Sequence, residues 1–396
     1  MDSTSAVVLA GGEGVRLRPL SYSRPKPLLP AATRPILERV FDQLIDVGVS
    51  EIVVVVGYKR ERVQSHFGPT YRNTRLTYVT QDQQLGSGHA LLAARDVVDD
   101  SMLVLNGDQI VESEIIRDVV DAHDQFDNVA ATLGLLNKSD VSEYGGVLVE
   151  DGVVTELVEK PQDDRGYWLN AGVYAFEPAI FDALERLEPT AGERSLIDGI
   201  NRLQRDGETI RGELSEGLWV DATYPWDLLD VSFSLFESGL LTDQQSAAVS
   251  ESAIVHETAC VRPPVVIAQD CEIGPGAVVG PYTCLGKNAT VGSNAVVERS
   301  VIDADSRIGP SATVRESVTG VGVTIGAGTT IPGGPGDVRV GNQIFENERL
   351  GALVADRVVD QGGSTFVPGS VIGPKTKIEA GSTVRGTLSS ETEVRS

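Results

Sequence analysis

Apolar residues follow two different rhythms along this chain, and the change comes near residue 250. Up to about residue 240, short apolar runs alternate with segments whose apolar positions recur every three or four residues. The runs 6–10, 52–56, 76–79, 102–105 and 129–136 predict buried strands. Segments 36–47, 59–67, 89–95 and 112–124 carry the helical period between them. This alternation predicts βαβ units and a mostly parallel sheet with right-handed crossovers. After residue 136 the pattern loosens. Segments 147–149 and 153–158 read as a hairpin turned by Glu150-Asp151-Gly152. A strand at 173–176 follows, and helices are expected at 181–187, 196–203 and 226–236.

From about 250 the period becomes six. Val255, Val261, Ile267, Ile273, Val279, Leu285, Val291 and Val297 are evenly spaced; Ile302, Ile308, Val314, Ile325 and Ile331 keep the count after one-residue slips, and Ile372, Ile378 and Val384 resume it further on. Glycine follows several of them, at Gly274, Gly280, Gly286, Gly292 and Gly309. A helix would repeat at three or four, so this spacing predicts a parallel β-helix with one aliphatic residue inward per hexapeptide. Three hexapeptides per triangular coil, as in the left-handed form, make roughly seven coils. Residues 332–364 break the count and are expected to protrude as a loop. The organisation expected is a first domain over 1–240, a polar linker over 241–252 and a β-helix over 253–390.

Composition narrows the function. The 396 residues make 42.1 kDa, and no stretch approaches the ~20 apolar residues of a membrane helix. The opening Met1-Asp-Ser-Thr-Ser is acidic, and 6–10 is too short for a secretion-signal core, so the expectation is a cytoplasmic protein. Cys260, Cys271 and Cys284 have neither disulfide-framework numbers nor zinc-site spacing. Acidic residues number 57 against 33 basic, for a net charge of −24, and only seven of the basic residues are lysine. Such a charge argues against nucleic acid and anionic membrane as partners. It also suggests a high-salt organism, where the Debye length falls to about 3 Å. The alternative is an acidic protein of an ordinary organism.

The chemistry starts where the first strand ends, at Gly11-Gly12-Glu13-Gly14-Val15-Arg16-Leu17-Arg18-Pro19-Leu20. Glycines allow a tight bend that presents backbone N–H groups to phosphate. The dinucleotide fingerprint and the Walker loop are both excluded by the residues that follow. Arg24-Pro25-Lys26-Pro27-Leu28-Leu29-Pro30 then holds Lys26 on a proline-stiffened track, and with Arg16 it offers two cations to a triphosphate. Asn106-Gly107-Asp108 falls at the carboxyl end of a strand, where open α/β sheets bind ligands. Asp108 is either a loop cap or a magnesium ligand.

In order along the chain, these motifs resemble the sugar-1-phosphate nucleotidylyltransferases, also called nucleotide-diphospho-sugar pyrophosphorylases. The opening matches that family apart from Val15, which replaces a hydroxyl residue. Further matches are Gln81-Asp-Gln-Gln-Leu-Gly86-Ser87-Gly88-His89-Ala90, Asn106-Gly-Asp108, Glu143-Tyr144-Gly145-Gly146, Val158-Glu159-Lys160-Pro161, Leu169-Asn170-Ala171-Gly172 and Trp219-Val220-Asp221. The second half resembles the left-handed β-helix of hexapeptide-repeat acyltransferases. Together the halves are similar to the bifunctional enzymes that make UDP-N-acetylglucosamine. The fold implied is α/β: a Rossmann-like mixed-sheet nucleotidyltransferase domain, then a left-handed parallel β-helix.

The resemblance implies that Ala10, Gly11 and Gly12 hold the nucleotide and that Gln81, Gly86 and Ser87 read its base. It implies catalytic roles for Arg16, Lys26 and Asp108, with Arg16 and Lys26 gripping phosphates. Gly145, Glu159, Lys160 and Asn170 would hold the sugar phosphate, and Asp108 and Asp221 would share Mg2+. Glu159 could instead pair with Lys160, and Ser87 could cap the following helix. The family's Asp-x-Gly-x-Pro is here Asp221-Ala-Thr223-Tyr-Pro225, a departure at the glycine. The substrates implied are a nucleoside triphosphate (UTP or dTTP) and a sugar 1-phosphate, either N-acetylglucosamine- or glucose-1-phosphate. Two alternatives are a bifunctional enzyme that also acetylates glucosamine-1-phosphate with acetyl-CoA and a non-catalytic regulatory relative that binds sugar nucleotides.

Acetyl transfer in the β-helix family needs a histidine base. The chain has His66, His89, His123 and His256, and only His256 lies in the second half. The expected role of the β-helix is therefore architectural, holding a homotrimer together. On that reading a chain ending near Glu251 would keep nucleotidylyl transfer.

Overall fold

The computed structural model describes residues 5–188, 192–241 and 248–395. Much of the expected linker, at 242–247, lies outside the described residues. The chain packs into two compact units that do not follow chain order. One is Met1–Glu13 with Ile36–Trp219, and the other is Gly14–Pro35 with Val220–Ser396.

The first unit is built on a ten-stranded sheet. Its strands are β1 (Ser5–Ala10), β2 (Glu51–Val56), β3 (Thr70–Tyr71), β4 (Thr74–Thr80), β5 (Met102–Asn106), β6 (Val129–Leu136), β7 (Gly145–Glu150), β8 (Val153–Glu159), β9 (Trp168–Phe176) and β10 (Thr209–Ser215). The order across the sheet is β7-β8-β10-β6-β9-β5-β1-β2-β4-β3. Strands β5, β1, β2 and β4 are mutually parallel. Val7, Val8, Val53, Val54, Leu103 and Val104 are buried on both faces of this parallel core, as their unbroken apolar runs require. Strand β9 runs antiparallel to both of its neighbours, β5 and β6, which makes the sheet mixed.

Crossover helices α1 (Ile36–Asp46), α2 (Arg60–Phe67), α3 (Ser87–Leu92) and α4 (Ser113–Gln125) occupy the predicted helical segments. The 150–152 turn joins β7 to β8 as expected, with Asp151 and Gly152 both at positive φ. Strand β9 is longer than the apolar run that announced it. The run begins at Val173, but Gly146 and Val147 of β7 pair with Leu169 and Trp168 and so extend the strand backward.

In the second unit the hexapeptide period becomes a left-handed β-helix. Its three faces carry eight, seven and seven strands, all parallel within each face. The predicted aliphatic residues from Ile267 to Ile331, then Ile372, Ile378 and Val384, form one continuous buried core. Val255 in the first coil is exposed, because that coil has a stacked neighbour on one side only among the described residues.

The break at 332–364 differs from the expected loop. It holds an antiparallel hairpin, Gly336–Val340 with Gln343–Glu348, and then the coils resume at Ala352–Val354. The period of six in fact continues through 354, 360 and 366, but position 360 is aspartate. Asp360 is 1% exposed and is satisfied internally by the Gly326 N–H, the Thr329 hydroxyl and the Ser364 hydroxyl. A polar residue turned inward hid this coil from a hydrophobicity pattern. Before the β-helix, the helix Asp227–Glu237 belongs to the same unit, and its Ser232 hydroxyl accepts the Ala32 N–H.

Candidate active site

Within the first unit, backbone segments approach each other too closely for any side chain but hydrogen. Gly11 follows β1, and a Cβ there would lie 2.7 Å from Gln81 Oε1. Gly57, at the end of β2, would in turn drive a Cβ to 2.8 Å from the Gly11 carbonyl. That carbonyl accepts N–H groups from Tyr58 at 3.2 Å and from the Gln84 amide at 3.0 Å. Gln81 is buried, and its amide donates to the Gly86 carbonyl at 3.0 Å and meets His89 Nδ1 at 3.2 Å. The structure thus brings Gly11, Gln81 and Gly86 together.

Beside them, at the carboxyl ends of these strands, opens a cavity of about 660 Å³ lined in part by Glu13, Tyr58, Lys59, Arg62, Gln81 and Gln84. Ser87 behaves differently. Its hydroxyl accepts the Leu196 N–H at 3.0 Å and so anchors the start of the helix Leu196–Arg205 instead of capping its own helix. His89 stays in α3 as a partner of Gln81.

Asp108 lies just past β5, half-buried. Gly107 packs against β1: a Cβ would lie 3.0 Å from Ala10 Cβ, and the Gly107 N–H donates to the Leu9 carbonyl at 2.9 Å. The carboxylate is therefore carried on a turn pressed against the glycine loop's own strand.

Three of the four sugar-phosphate candidates also come together. Gly145 and Glu159 are register partners at one end of the β7–β8 pair. A Cβ on Gly145 would meet Asn170 Cβ at 3.2 Å. Asn170 is buried, donates to the Tyr174 hydroxyl at 2.9 Å and accepts the Gly172 N–H at 3.1 Å. The Glu159 carboxyl is raised above the usual carboxylate range, chiefly by the surrounding protein and against the pull of Lys160. Lys160 turns away at positive φ and pairs with Glu143 at 3.2 Å, on the surface. The Glu159–Lys160 ion pair considered from sequence is not formed.

The second unit holds Arg16, Lys26 and Asp221. Gly14 adopts φ 61°, and a Cβ there would strike Lys26 Cβ at 2.8 Å. The chain then folds through short 3-10 turns at Val15–Leu17, Leu20–Tyr22 and Lys26–Leu28. Lys26, expected on an extended track, sits in the last of these, 9% exposed, with its ammonium 3.1 Å from Asp221 Oδ1. The other Asp221 oxygen accepts the Thr223 hydroxyl. Thr223 is not among the residues with positive φ, so the family's missing glycine costs no backbone strain here.

Asp227, which the sequence reading passed over, orders this turn. Its Oδ2 accepts the N–H groups of Thr223 at 2.8 Å and Tyr224 at 2.6 Å. Burial pushes its carboxyl up to about 7. Tyr224 stacks on Trp226, and Phe345 from the inserted hairpin packs on both rings at 4.7 and 5.1 Å between centroids. The Arg16 guanidinium lies over the Tyr224 ring at 5.7 Å. No local signal could have paired Phe345 with this turn, because the hairpin interrupts the repeat by which that region was read.

Arg24 is the least expected feature. It is mostly buried, 2.7 Å from Asp303 and 3.4 Å from Asp356, both on the β-helix. Burial alone would lower its pKa, but the two carboxylates raise it instead. No group of three or more His, Cys, Asp or Glu side chains suited to a metal occurs among the described residues.

Residues 5–237 match the nucleotidyl transferase family, and residues 261–348 match a family described as the GMPPB C-terminal domain. The UTP–glucose-1-phosphate uridylyltransferase AglF of Haloferax volcanii is 37% identical over 224 residues, which are 56% of this chain and 92% of AglF. The low-salt glycan biosynthesis nucleotidyltransferase Agl11 of the same organism is 36% identical over 236 residues, 58% of this chain and 66% of its own. The bifunctional protein GlmU of Methanococcus maripaludis is 38% identical over 232 residues, 57% of this chain, and the chain spans 53% of that relative's length. Among solved structures, a candidate glucose-1-phosphate thymidylyltransferase from Bacillus anthracis superposes with a TM-score of 0.54 at 26% identity. That superposition covers 61% of this chain and 96% of the other.

Proposed function

Because the chain belongs to the nucleotidyl transferase family and is a sugar-1-phosphate nucleotidylyltransferase, we propose that it moves a uridylyl or thymidylyl group from UTP or dTTP onto glucose- or N-acetylglucosamine-1-phosphate. The observation that carries this reading is Lys26: a buried cation, held in place by Asp221, on the segment that the family motif marks for the triphosphate. The buried Gln81 amide, beside a cavity and braced against Gly11, supports recognition of a pyrimidine edge, since it offers both a donor and an acceptor.

The sugar phosphate supplies the attacking oxygen, already anionic near neutral pH because the second pKa of a phosphate monoester is about 6. It attacks the α-phosphorus in line, and pyrophosphate leaves. The protein therefore needs no general base; it must align two polyanions and offset their charge. Arg16 and Lys26 serve the triphosphate in this reading. Lys160 serves the sugar phosphate, exchanging its surface partner Glu143 for the ligand, and Gly145, Glu159 and Asn170 frame the sugar. Asp108 and Asp221 are the carboxylates we assign to Mg2+. The ion favours hard oxygen donors and is commonly held by one or two carboxylates plus substrate phosphates, a need that two aspartates meet. When bound, Mg2+ neutralises phosphate charge as it develops.

Acetyl transfer is not part of this reading. His256 is the only histidine of the second half, and it sits exposed in the first coil, bonded to Thr258. The triangular prism supports a homotrimer, and the charge of −24 supports a high-salt cytoplasm. The deciding experiment is pyrophosphate release from four nucleoside triphosphates against glucose-, N-acetylglucosamine-, glucosamine- and galactose-1-phosphate in molar KCl. Release with a pyrimidine triphosphate and one of the first two sugars is expected; release only with purines would overturn the reading. Light scattering in the same buffer tests the trimer, and a monomer would refute it.

A further inference from the structure

Arg24 lies two residues before Lys26, and its partners come from the β-helix. Its guanidinium spans Asp303, just past the strand Val301–Ile302, and Asp356, just past Ala352–Val354. Neighbouring Ser23 also donates its hydroxyl to Asp356. Both carboxylates are held rigidly by the coils. The Val321 N–H donates to Asp356 Oδ1 at 2.9 Å, the Ala304 N–H donates to Asp303 Oδ1 at 2.7 Å, and the Thr319 hydroxyl accepts the Asp303 N–H at 2.9 Å. Gly320 leaves the space that the Asp356 carboxylate fills, for a Cβ there would collide with Oδ1.

The link from this clamp to Lys26 is stiff. Pro25 and Pro27 flank Lys26, and the Leu28 and Leu29 N–H groups close the turn onto the Pro25 and Lys26 carbonyls at 2.9 Å each. A guanidinium fixed between two carboxylates therefore sets where the lysine two residues later can reach. A flexible loop would not transmit that position.

We infer that Asp303 and Asp356 are positioning residues for nucleotidylyl transfer: through Arg24 and the proline-braced turn, the β-helix holds Lys26 where it can meet the triphosphate. The inference rests on the assignment of Lys26 to the phosphates made above. It reverses the expectation that the β-helix is dispensable for this chemistry.

The test is a double-mutant cycle on the full chain. Asp303→Asn combined with Asp356→Asn should lower kcat/KM for pyrophosphate release by about 10²-fold, the scale of a misplacement of about 1 Å. In a Lys26→Ala background the same pair of changes should lower it by less than about threefold, because the group they position is gone. Arg24→Lys, which keeps one positive charge but not the two-pronged reach, should fall between wild type and the double variant.

Equal losses with and without Lys26 would show a merely structural clamp and overturn the inference, as would full activity in the double variant. An undiminished Lys26→Ala enzyme would instead refute the assignment of Lys26 itself. Should the double variant fail to fold, Ser23→Ala and Asp356→Asn singly, each with its melting temperature measured, carry the same cycle. Activity losses that vanish in the Lys26→Ala background support the clamp, and additive ones overturn it.

Discussion

The two units hold their candidate residues by different physics. In the first unit, Gly11 and Gly57 let neutral backbone and amide groups pack at distances no Cβ would permit, and Gly107 and Gly145 sit where a Cβ would press its neighbours. In the second, position is set by charge: Lys26 on Asp221, and Arg24 between Asp303 and Asp356. The first arrangement should be sensitive to volume and the second to charge. Buried ion pairs of this kind tolerate salt better than surface pairs do, because they are poorly screened. They also leave an uncompensated charge when one partner is removed.

The largest expected effect comes from removing charge in the second unit. Lys26→Ala strips the triphosphate of a fixed cation and leaves Asp221 buried without its ammonium, so kcat/KM should fall about 10³-fold. A loss below tenfold, measured by pyrophosphate release, would break the contrast. Asp108→Asn, at the carboxyl end of β5, should leave folding intact and lower turnover by about 10²-fold if the carboxylate serves the metal. Near-normal turnover would remove Asp108 from that role.

Volume is the probe for the first unit. Gly11→Ala forces Gln81 aside, a cost of about 1–3 kcal/mol by analogy with overpacked cores. It should appear as a roughly tenfold higher KM for the nucleotide, since every 1.4 kcal/mol is a factor of ten. That change should be independent of ionic strength. A salt-dependent KM would place charge, not volume, at the centre of the first unit as well.

The smallest effect concerns Asp227, a half-buried carboxyl that accepts the Thr223 and Tyr224 N–H groups. Its pKa of about 7 exceeds the ordinary 3.8. Between about pH 4 and 7 the folded chain keeps a proton that the unfolded chain has released, so this group's stabilising contribution falls as pH rises and is gone above the folded value. Asp227→Asn keeps an oxygen acceptor for the Thr223 and Tyr224 N–H groups. Relative to wild type, the variant should gain stability between pH 4.5 and 7.5, about 1–3 kcal/mol in all. Parallel melting-temperature profiles for the two proteins would show that Asp227 does not titrate in this way.

Some of the architecture was readable from spacing alone. The parallel core follows from unbroken apolar runs, and the crossover helices and most coils from local repeats of about 3.6 and six residues, which neighbouring positions report without knowledge of the fold. The glycine loop, Asn106-Gly107-Asp108 and the Lys26 segment were legible as motifs, but the 3-10 turn that carries Lys26 and its pairing with Asp221 were not. The coil through Asp360 was not, because a buried aspartate satisfied by Thr329 and Ser364 is polar in the sequence and core-like only in three dimensions. Nor was the long reach of Glu159 and Lys160 past each other, which depends on the positive φ of Lys160 and the nearness of Glu143.

The amino-acid sequence by itself determined the elements, the repeat and the family, because each is encoded within a few neighbouring residues. Only the tertiary structure decided which charges meet. Arg24 and Asp356 stand 332 positions apart, and their pairing exists because coil stacking brings Asp303 and Asp356 to one guanidinium. A repeat period specifies which side chains point inward; it carries no information about which distant segment packs against the outward corners, and there the charge of this molecule is spent.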